Sequence, residues 1–351
     1  MVHELEGFAS KANLEAATSI WTVKGARTTG NESLDPPLKV LVVYNSNPAA
    51  IASNQNLVLK GLAKDDLLTV VLEHFMTDTA RYADFILPAT TQIEHLDLMY
   101  SWGTMYLSLN QPAIDPVGEA LPNSEIFRRL ARALDLDYPE LQQNDIDIIR
   151  DVLDAKHPWV EGTTFESLMQ TGWAKLKIPE DWRPYGEGNF PTPSGKAEFY
   201  SESLAAEGFD PLPAFEPAPE SPAGDPDLTA RFPLALVNGK TALHFLNSSY
   251  SGVSRHLKAE REPLIDIHPE DAASRGISDG EMVRAFNDRG EVTVRARVKD
   301  KVRAGVVAMP AGWWASNSPR GRTANALTRD GVAAWGRGGD FMDTLVEVEL
   351  A

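Results

Sequence analysis

The 351-residue sequence contains no cysteine, which excludes disulfides, a thiolate nucleophile and cysteine ligation of an iron–sulfur cluster by these residues. Long apolar runs are missing too. Stretches such as Leu38 to Val43 and Leu67 to Leu72 fall far short of the roughly 20 residues that span a bilayer, so no direct membrane insertion is expected. Basic residues are in the minority, 33 Lys and Arg against 50 Asp and Glu, and the formal charge of −17 argues against general nucleic-acid binding, because phosphate recognition needs clustered cations. A local anion site is still compatible with that balance. The opening Met1-Val2-His3-Glu4-Leu5-Glu6 has neither the basic start nor the apolar core of an export signal, and a cytoplasmic location is expected. The histidines, at 3, 74, 95, 157, 244, 256 and 268, include no pair at the close spacing of a helical zinc site, so a self-contained metal centre is not expected.

What is present is ordinary for a globular chain, 43% hydrophobic and 24% charged, and the length suits two domains better than one core. Residues 1–36 are polar and without period and read as a lead-in. From Leu38 the run Leu-Lys-Val-Leu-Val-Val-Tyr is nearly all apolar and β-branched, as in a strand buried on both faces of a parallel sheet. It stops at Asn45-Ser46-Asn47-Pro48, a helix is expected to about Gly61, and Leu67 to Leu72 repeats the strand signal. Strand, helix, strand at this spacing predicts a βαβ unit of a doubly wound α/β sheet. A third strand over Phe85-Ile86-Leu87 ends at Pro88, and Asn123 is placed to cap a helix with Ile126, Phe127, Leu130 and Leu134 on one face.

Residues 211–228 hold a proline-rich stretch that favours extended, poorly packing chain, and the domain boundary is placed there: an α/β domain over 37–210, the linker, and a second domain over 229–351. In that second domain Met282 to Phe286 and Val292 to Val298 flank Asn287-Asp288-Arg289-Gly290 as a half-buried hairpin. A short helix lies between Ile267 and Gly276. Short strands with one or two small helices suggest a compact β-barrel.

Two loops follow the buried strands at their carboxyl ends, where open α/β sheets bind ligands. Asn45-Ser46-Asn47-Pro48 is either an anion-facing loop or a plain strand-to-helix turn. Glu73 to Asp84 contains Thr77, Asp78 and Thr79, which either cap a short helix or offer a carboxylate to a purine or ribose. Gly239-Lys240-Thr241 is not a phosphate-binding P-loop, since Leu234 stands where that loop needs glycine. No Gly-x-Ser-x-Gly elbow occurs, which speaks against a serine hydrolase. Trp313 and Trp314, followed by Arg320, Arg322 and Asn325, form either a buried aromatic anchor or a ligand-facing loop.

Taken together these segments resemble the second half of the molybdopterin-dependent oxidoreductases of the dimethyl sulfoxide reductase superfamily, formate dehydrogenase and biotin sulfoxide reductase-like members included. The resemblance runs from about Pro36 to Glu349. It rests on Val43-Tyr44-Asn45-Ser46-Asn47-Pro48, on Phe75-x-Thr77-Asp78-Thr79-Ala80-x-Tyr82-Ala83-Asp84-x-x-Leu87-Pro88, and on Pro193-Ser194-Gly195-Lys196-Ala197-Glu198-Phe199-Tyr200. In the last domain it rests on Asn238-Gly239-Lys240 with His244, Asp271-Ala272 through Gly276 to Val283, Arg289-Gly290, Gly312-Trp313-Trp314 and Asn325-Ala326-Leu327-Thr328.

The resemblance implies a partial, doubly wound αβα cofactor-binding domain followed by a double-psi β-barrel that binds the dinucleotide. The implied cofactor is molybdopterin guanine dinucleotide carrying molybdenum or tungsten. Its guanosine and phosphate end is assigned to Asn45, Ser46, Asn47, Pro48, Glu73, Thr77, Asp78, Thr79 and Asp84, and its pterin end to Asn238, Gly239, Lys240, His244, Trp314 and Asn325. Lys240 stands where the family commonly has arginine, and an ammonium cannot make the planar bidentate grip of a guanidinium. Metal ligand and iron–sulfur cluster belong to the part of family members that this chain does not match. The implied partners are therefore an N-terminal half or upstream subunit supplying the metal ligand, and a small-molecule substrate. No catalytic residue is assigned. The expected activity is two-electron redox or oxygen-atom transfer; the alternative is a non-catalytic cofactor-binding fragment or inactive remnant. Separated from the missing half, the first domain is expected to expose a sheet edge and an apolar face.

Overall fold

The computed structural model describes residues 37–155, 157–212, 214–241, 243, 248–331 and 342–351; the lead-in 1–36 and His244 lie outside them. By contact the described residues divide into two units, one formed by those up to Leu87 together with those from Pro217 on, the other by those from Pro88 to Glu216.

The first unit begins with strand β1 (Val40–Tyr44), a turn, helices α1 (Pro48–Ile51) and α2 (Gln55–Leu62), and strand β2 (Leu68–Glu73), which runs parallel to β1 from Val40 opposite Leu68 to Tyr44 opposite Leu72. Strand β3 (Phe85–Pro88) lies beside β2. The expected βαβ unit is thus present, its helix broken in two at Ala52 to Asn54, where Asn54 takes the left-handed conformation. Leu41, Val43, Val58, Leu62, Leu67 and Val71 form its core. Each such side chain contributes roughly 1.5–3 kcal/mol when fully buried.

The apolar run of β1 predicts a strand buried on both faces, but only one face is covered. Leu41 and Val43 are buried, but Val40 is 49% and Val42 37% exposed, with Leu68 at 41% beside them. The strand is apolar on both sides because of its composition, but α2 covers only one.

The second unit carries an antiparallel sheet of β4 (Asp97–Tyr100), β5 (Tyr106–Asn110) and β6 (Trp173–Lys175), with helices α3 (Asn123–Ala133), α4 (Asp145–Leu153), α5 (Phe165–Thr171) and α6 (Glu202–Ala206). Leu107 and Leu109 pack on Ile149, Leu153, Phe165 and Leu168. Helix α3 starts where expected, with Pro122 rather than Asn123 in the capping position. Ile126 is buried as read, but Phe127 and Leu134 are exposed at 39% and 67%, so the predicted apolar face is only partly covered.

The chain returns to the first unit at Pro217. The proline-rich stretch packs better than its composition suggests. Glu220, its side chain 7% exposed, grips Arg289 with both oxygens at 2.6 and 2.8 Å and accepts the Leu345 amide at 3.1 Å. Asp225 then caps helix α7 (Pro226–Arg231). After it come β7 (Leu234–Lys240), α8 (Ser254–Glu260), β8 (Leu264–Ile267), α9 (Pro269–Ser274), β9 (Met282–Asn287), β10 (Gly290–Val298), β11 (Val306–Ala311) and β12 (Leu345–Leu350).

The six strands close into a barrel in the order β10-β8-β11-β7-β12-β9. Two pairs, β7 with β11 and β8 with β10, are parallel; the remaining four are antiparallel. Leu236, Ile265, Val283, Ala285, Val294, Val307 and Val348 point into the core; the half-buried hairpin predicted over Met282 to Val298 is present, although Thr293, expected on its outward face, is buried as well. Closure removes the free sheet edges that would otherwise need protection. Among the described residues no helix is long and apolar enough to cross a membrane.

Candidate functional site

Three loop regions that are distant in sequence meet within the first unit. The turn after β1 places Asn45 in the left-handed region at φ 52°, which an asparagine tolerates better than other side chains. Asn47 follows, 4% exposed, then Pro48 as the first residue of α1. The Asn47 Oδ1 accepts hydrogen bonds from the Thr79 amide at 3.1 Å and hydroxyl at 2.8 Å, and the Thr79 hydroxyl oxygen accepts the Ala49 amide at 3.0 Å. The loops after β1 and β2 are therefore joined directly, as their shared position at strand ends suggested.

The barrel supplies the third region. The Asn325 Nδ2 donates to the Ala50 carbonyl of α1 at 2.9 Å, while its Oδ1 accepts from Asn238 Nδ2 and the Thr328 hydroxyl, both at 3.2 Å. The Asp78 carboxylate accepts the amides of Ala315 at 2.5 Å and Ser316 at 3.3 Å, immediately after Trp314. Thr77 and Thr79 are buried, and Thr77 Oγ1 accepts the Ala80 amide at 3.2 Å. Asp84 is committed locally, with Oδ2 accepting the Thr69 amide at 2.7 Å.

Gly239 and Lys240 fall elsewhere on the barrel. They line a groove of about 450 Å³ with Thr241, Glu260, Asp266 and Arg297. Asp266 and Arg297 form an ion pair there, which raises the Arg297 guanidinium further above its ordinary value. Burial pushes the Glu73 carboxyl, at the end of β2, above the usual carboxylate range, opposed by the His74 amide that it accepts at 2.8 Å. Of the assigned residues the structure thus brings together Asn47, Thr79, Asp78, Trp314, Asn325 and Asn238. It leaves Gly239 and Lys240 on the groove and gives Asp84 a partner in β2.

Sequence reasoning missed the residues that fasten these loops. Gln55 is fully buried; its Nε2 donates to the Ala49 carbonyl at 2.7 Å and its Oε1 accepts the Thr323 amide at 3.1 Å. Asn56 donates to the Arg289 carbonyl at 3.0 Å and accepts from Arg322 Nε at 2.8 Å. Gly290 is needed beside it, because a Cβ there would collide with the Asn56 amide. Two polar residues at the start of an amphipathic helix give no local signal that they bond to chain more than two hundred residues away.

Among the buried polar atoms without a partner in the described residues are Asn47 Nδ2, Asn238 Oδ1 and the Trp314 indole Nε1; Thr69 Oγ1, Thr293 Oγ1 and His256 Nδ1, on β2, β10 and α8, are others. Leaving such a group unsatisfied costs about 1–3 kcal/mol, and native interiors carry few of them. The first three belong to residues that the hydrogen bonds above tie around α1, directly or through a neighbour. A pterin or nucleotide carries donors and acceptors of the kind these atoms lack, so in chemistry the residues fit such a group. Among the described residues no three His, Asp or Glu side chains converge as a metal ion would require.

Comparisons with known proteins point to one family. Residues 5–133 match the family described as molybdopterin oxidoreductase, and residues 234–345 match the molydopterin dinucleotide binding domain. A probable oxidoreductase, YoaE of Bacillus subtilis, is 38% identical over 316 residues, 90% of this chain and 45% of that protein. The dimethyl sulfoxide reductase DmsA of Escherichia coli is 32% identical over 353 residues, 91% of this chain and 42% of its own. The solved structure of acetylene hydratase from Pelobacter acetylenicus shares the fold, with a TM-score of 0.76 at 24% identity over 94% of this chain and 46% of the other. The chain belongs to the molybdopterin oxidoreductases of the dimethyl sulfoxide reductase superfamily. It spans somewhat less than half the length of these relatives.

Proposed function

We propose that this chain is the cofactor-binding portion of a molybdopterin-guanine-dinucleotide-dependent oxidoreductase, completed by a further polypeptide portion that carries the metal ligand. The observation that carries the proposal is the set of unpartnered buried atoms, Asn47 Nδ2, Asn238 Oδ1 and Trp314 Nε1, on loops that bond to one another. Asn45, Ser46, Asn47, Pro48, Glu73, Thr77 and Thr79 would hold the guanosine and phosphate end. Asn238, Trp314 and Asn325 would hold the pterin end, with Gly239, Lys240 and His244 assigned to it by resemblance. When bound, the cofactor supplies two-electron redox or oxygen-atom transfer at molybdenum or tungsten, while protein groups position and tune it.

The chain's own task is to bind and orient. Asn47 and Asn238 present a side-chain donor and acceptor from fixed positions, and Glu73 offers a carboxylate to a ribose or purine. The two parallel strand pairs of the barrel support a double-psi arrangement, and the parallel β1 and β2 support membership of a wound α/β sheet whose other strands lie outside this chain. The natural domain division we propose is 37–210, a linker over 211–228, and 229–351. The oxidoreductase and reductase names of the relatives favour an active enzyme over an inactive remnant.

The test is to purify the chain alone and with the matching portion of a relative, and to assay bound molybdenum or tungsten together with guanine released by acid. Metal and guanine appearing with the partner are expected. Neither appearing in any preparation would sink the proposal.

A further inference from the structure

Asp78 was assigned to the guanosine end on resemblance, yet its geometry serves a different purpose. The residue is 6% exposed. One carboxylate oxygen accepts the Ala315 amide at 2.5 Å and the other the Ser316 amide at 3.3 Å, so a single side chain from the β2 loop holds two successive amides of a barrel turn. That turn is fastened at its other end as well, where the Ser251 hydroxyl donates to the Gly312 carbonyl. Gly312 sits at φ 81°, and a Cβ there would lie 3.2 Å from the Ser248 amide nitrogen. Between the two anchors is Trp314, 9% exposed, its carbonyl accepting the Asn317 amide at 3.0 Å and the Ser318 hydroxyl at 2.9 Å. Its ring closes on Gly252 so tightly that a Cβ at that glycine would be 2.8 Å away. The indole is thus fixed on several sides, while its Nε1 has no acceptor among the described residues.

A buried indole N–H normally finds a partner. One fixed without a partner is a donor waiting for an acceptor, and the immobility of its ring is what makes a hydrogen bond to that acceptor directional.

We propose that Asp78 is a positioning residue: by holding the amides of Ala315 and Ser316 it orients the Trp314 indole, whose N–H donates to an oxygen or ring nitrogen of the bound cofactor. The identity of the acceptor rests on the function proposed above; the positioning does not.

The experiment uses the full chain labelled with 5-fluorotryptophan, in which each of the eight tryptophans gives a fluorine resonance and Trp314→Phe identifies the one that matters. In the cofactor-free chain Asp78→Ala is expected to shift and broaden the Trp314 resonance and leave the other seven in place. Asp78→Asn, which keeps one carbonyl acceptor, should give an intermediate position. An unmoved Trp314 resonance in Asp78→Ala would overturn the positioning role. Should that variant unfold and lose all dispersion, Asp78→Asn decides: Trp314 displaced alone supports the role, and Trp314 unmoved overturns it.

The cofactor arm measures guanine released from chain prepared with its completing portion. Trp314→Phe and Asp78→Ala should each retain at least about tenfold less than wild type. Equal retention by Trp314→Phe would overturn the donor role. Guanine missing from every preparation, wild type included, would instead remove the cofactor reading and leave the positioning role to the fluorine spectra.

Discussion

Replacing Gln55 tests how the candidate site is held together. The side chain is fully buried, and its two polar atoms satisfy the Ala49 carbonyl of α1 at 2.7 Å and the Thr323 amide of the barrel segment at 3.1 Å. Gln55→Leu keeps most of the volume and removes both bonds, leaving one buried carbonyl and one buried amide without partners. At about 1–3 kcal/mol for each unsatisfied group the loss is about 2–6 kcal/mol, a large fraction of the 5–15 kcal/mol typical of a folded domain. Urea titration followed by circular dichroism measures it, and hydrogen exchange at the Thr323 amide reports whether the loss is local.

Gln55→Glu sharpens the test. Protonated, it reproduces the amide, its hydroxyl donating to Ala49 and its carbonyl accepting from Thr323; ionised, it places a carboxylate in the interior facing a carbonyl oxygen. Burial and the lost donor both raise its folded pKa above the unfolded value of about 4.3. The stability of this variant should therefore be full below that unfolded value and be lost as pH rises through the folded one. A Gln55→Leu variant within about 0.5 kcal/mol of wild type, or a Gln55→Glu variant with no added pH dependence, would refute the reasoning. The first figure is what ordinary surface substitutions cost.

Further outcomes follow from other parts of the structure. Glu220→Ala leaves Arg289 without its carboxylate partner in a largely buried position, and breaking such a pair costs about 3–5 kcal/mol; a melting temperature unchanged from wild type would show that the linker is not clamped as described. In the second unit, hydrogen bonds from Arg128 and Arg129 pull the Glu125 carboxyl down from its ordinary 4.5 to about 2. Its contribution should be present above pH 4.5 and lost as pH falls toward 2, and Glu125→Gln should flatten that acid limb of the stability curve. An unaltered limb would contradict the assignment. The exposed face of the first sheet, Val40, Val42 and Leu68, should make the isolated chain self-associate in sedimentation velocity; Val40→Thr with Val42→Thr should reduce that association, and a monodisperse wild-type monomer would count against it.

Most of the strands were legible because their signals are local. The apolar run into Asn45-Ser46-Asn47-Pro48, the hairpin around Asn287 to Gly290 and the Pro269 helix each carry their own period and stop signals, and each forms where expected. The covering of β1 was not legible, since an apolar side chain is the same residue whether or not a neighbour arrives to bury it. The proline-rich stretch misled for a related reason: composition favours extended chain, and one buried carboxylate, Glu220, overrides it through a bidentate bond. At the site, the shared position at strand ends suggested that the loops of Asn47 and Thr79 meet, and they do; Asn238 and Asn325 were named only by resemblance, and whether a side chain faces a ligand or holds a loop depends on partners remote in sequence. Asp78 and Asp84 illustrate this, both carboxylates in one motif, the first bonded to a barrel turn and the second to β2.

Asn47→Asp tests the central claim most directly. The substitution is close to isosteric and keeps an oxygen to accept from Thr79, while it removes the unpartnered donor of this side chain, Nδ2, and puts a negative charge where anionic oxygens are proposed to lie. Guanine released from chain prepared with its completing portion is the readout. A hydrogen bond to a charged group contributes about 1.5–3 kcal/mol, so the variant should retain at least about tenfold less guanine than wild type. Equal retention, with the fold intact, would contradict the placement of the cofactor on these loops.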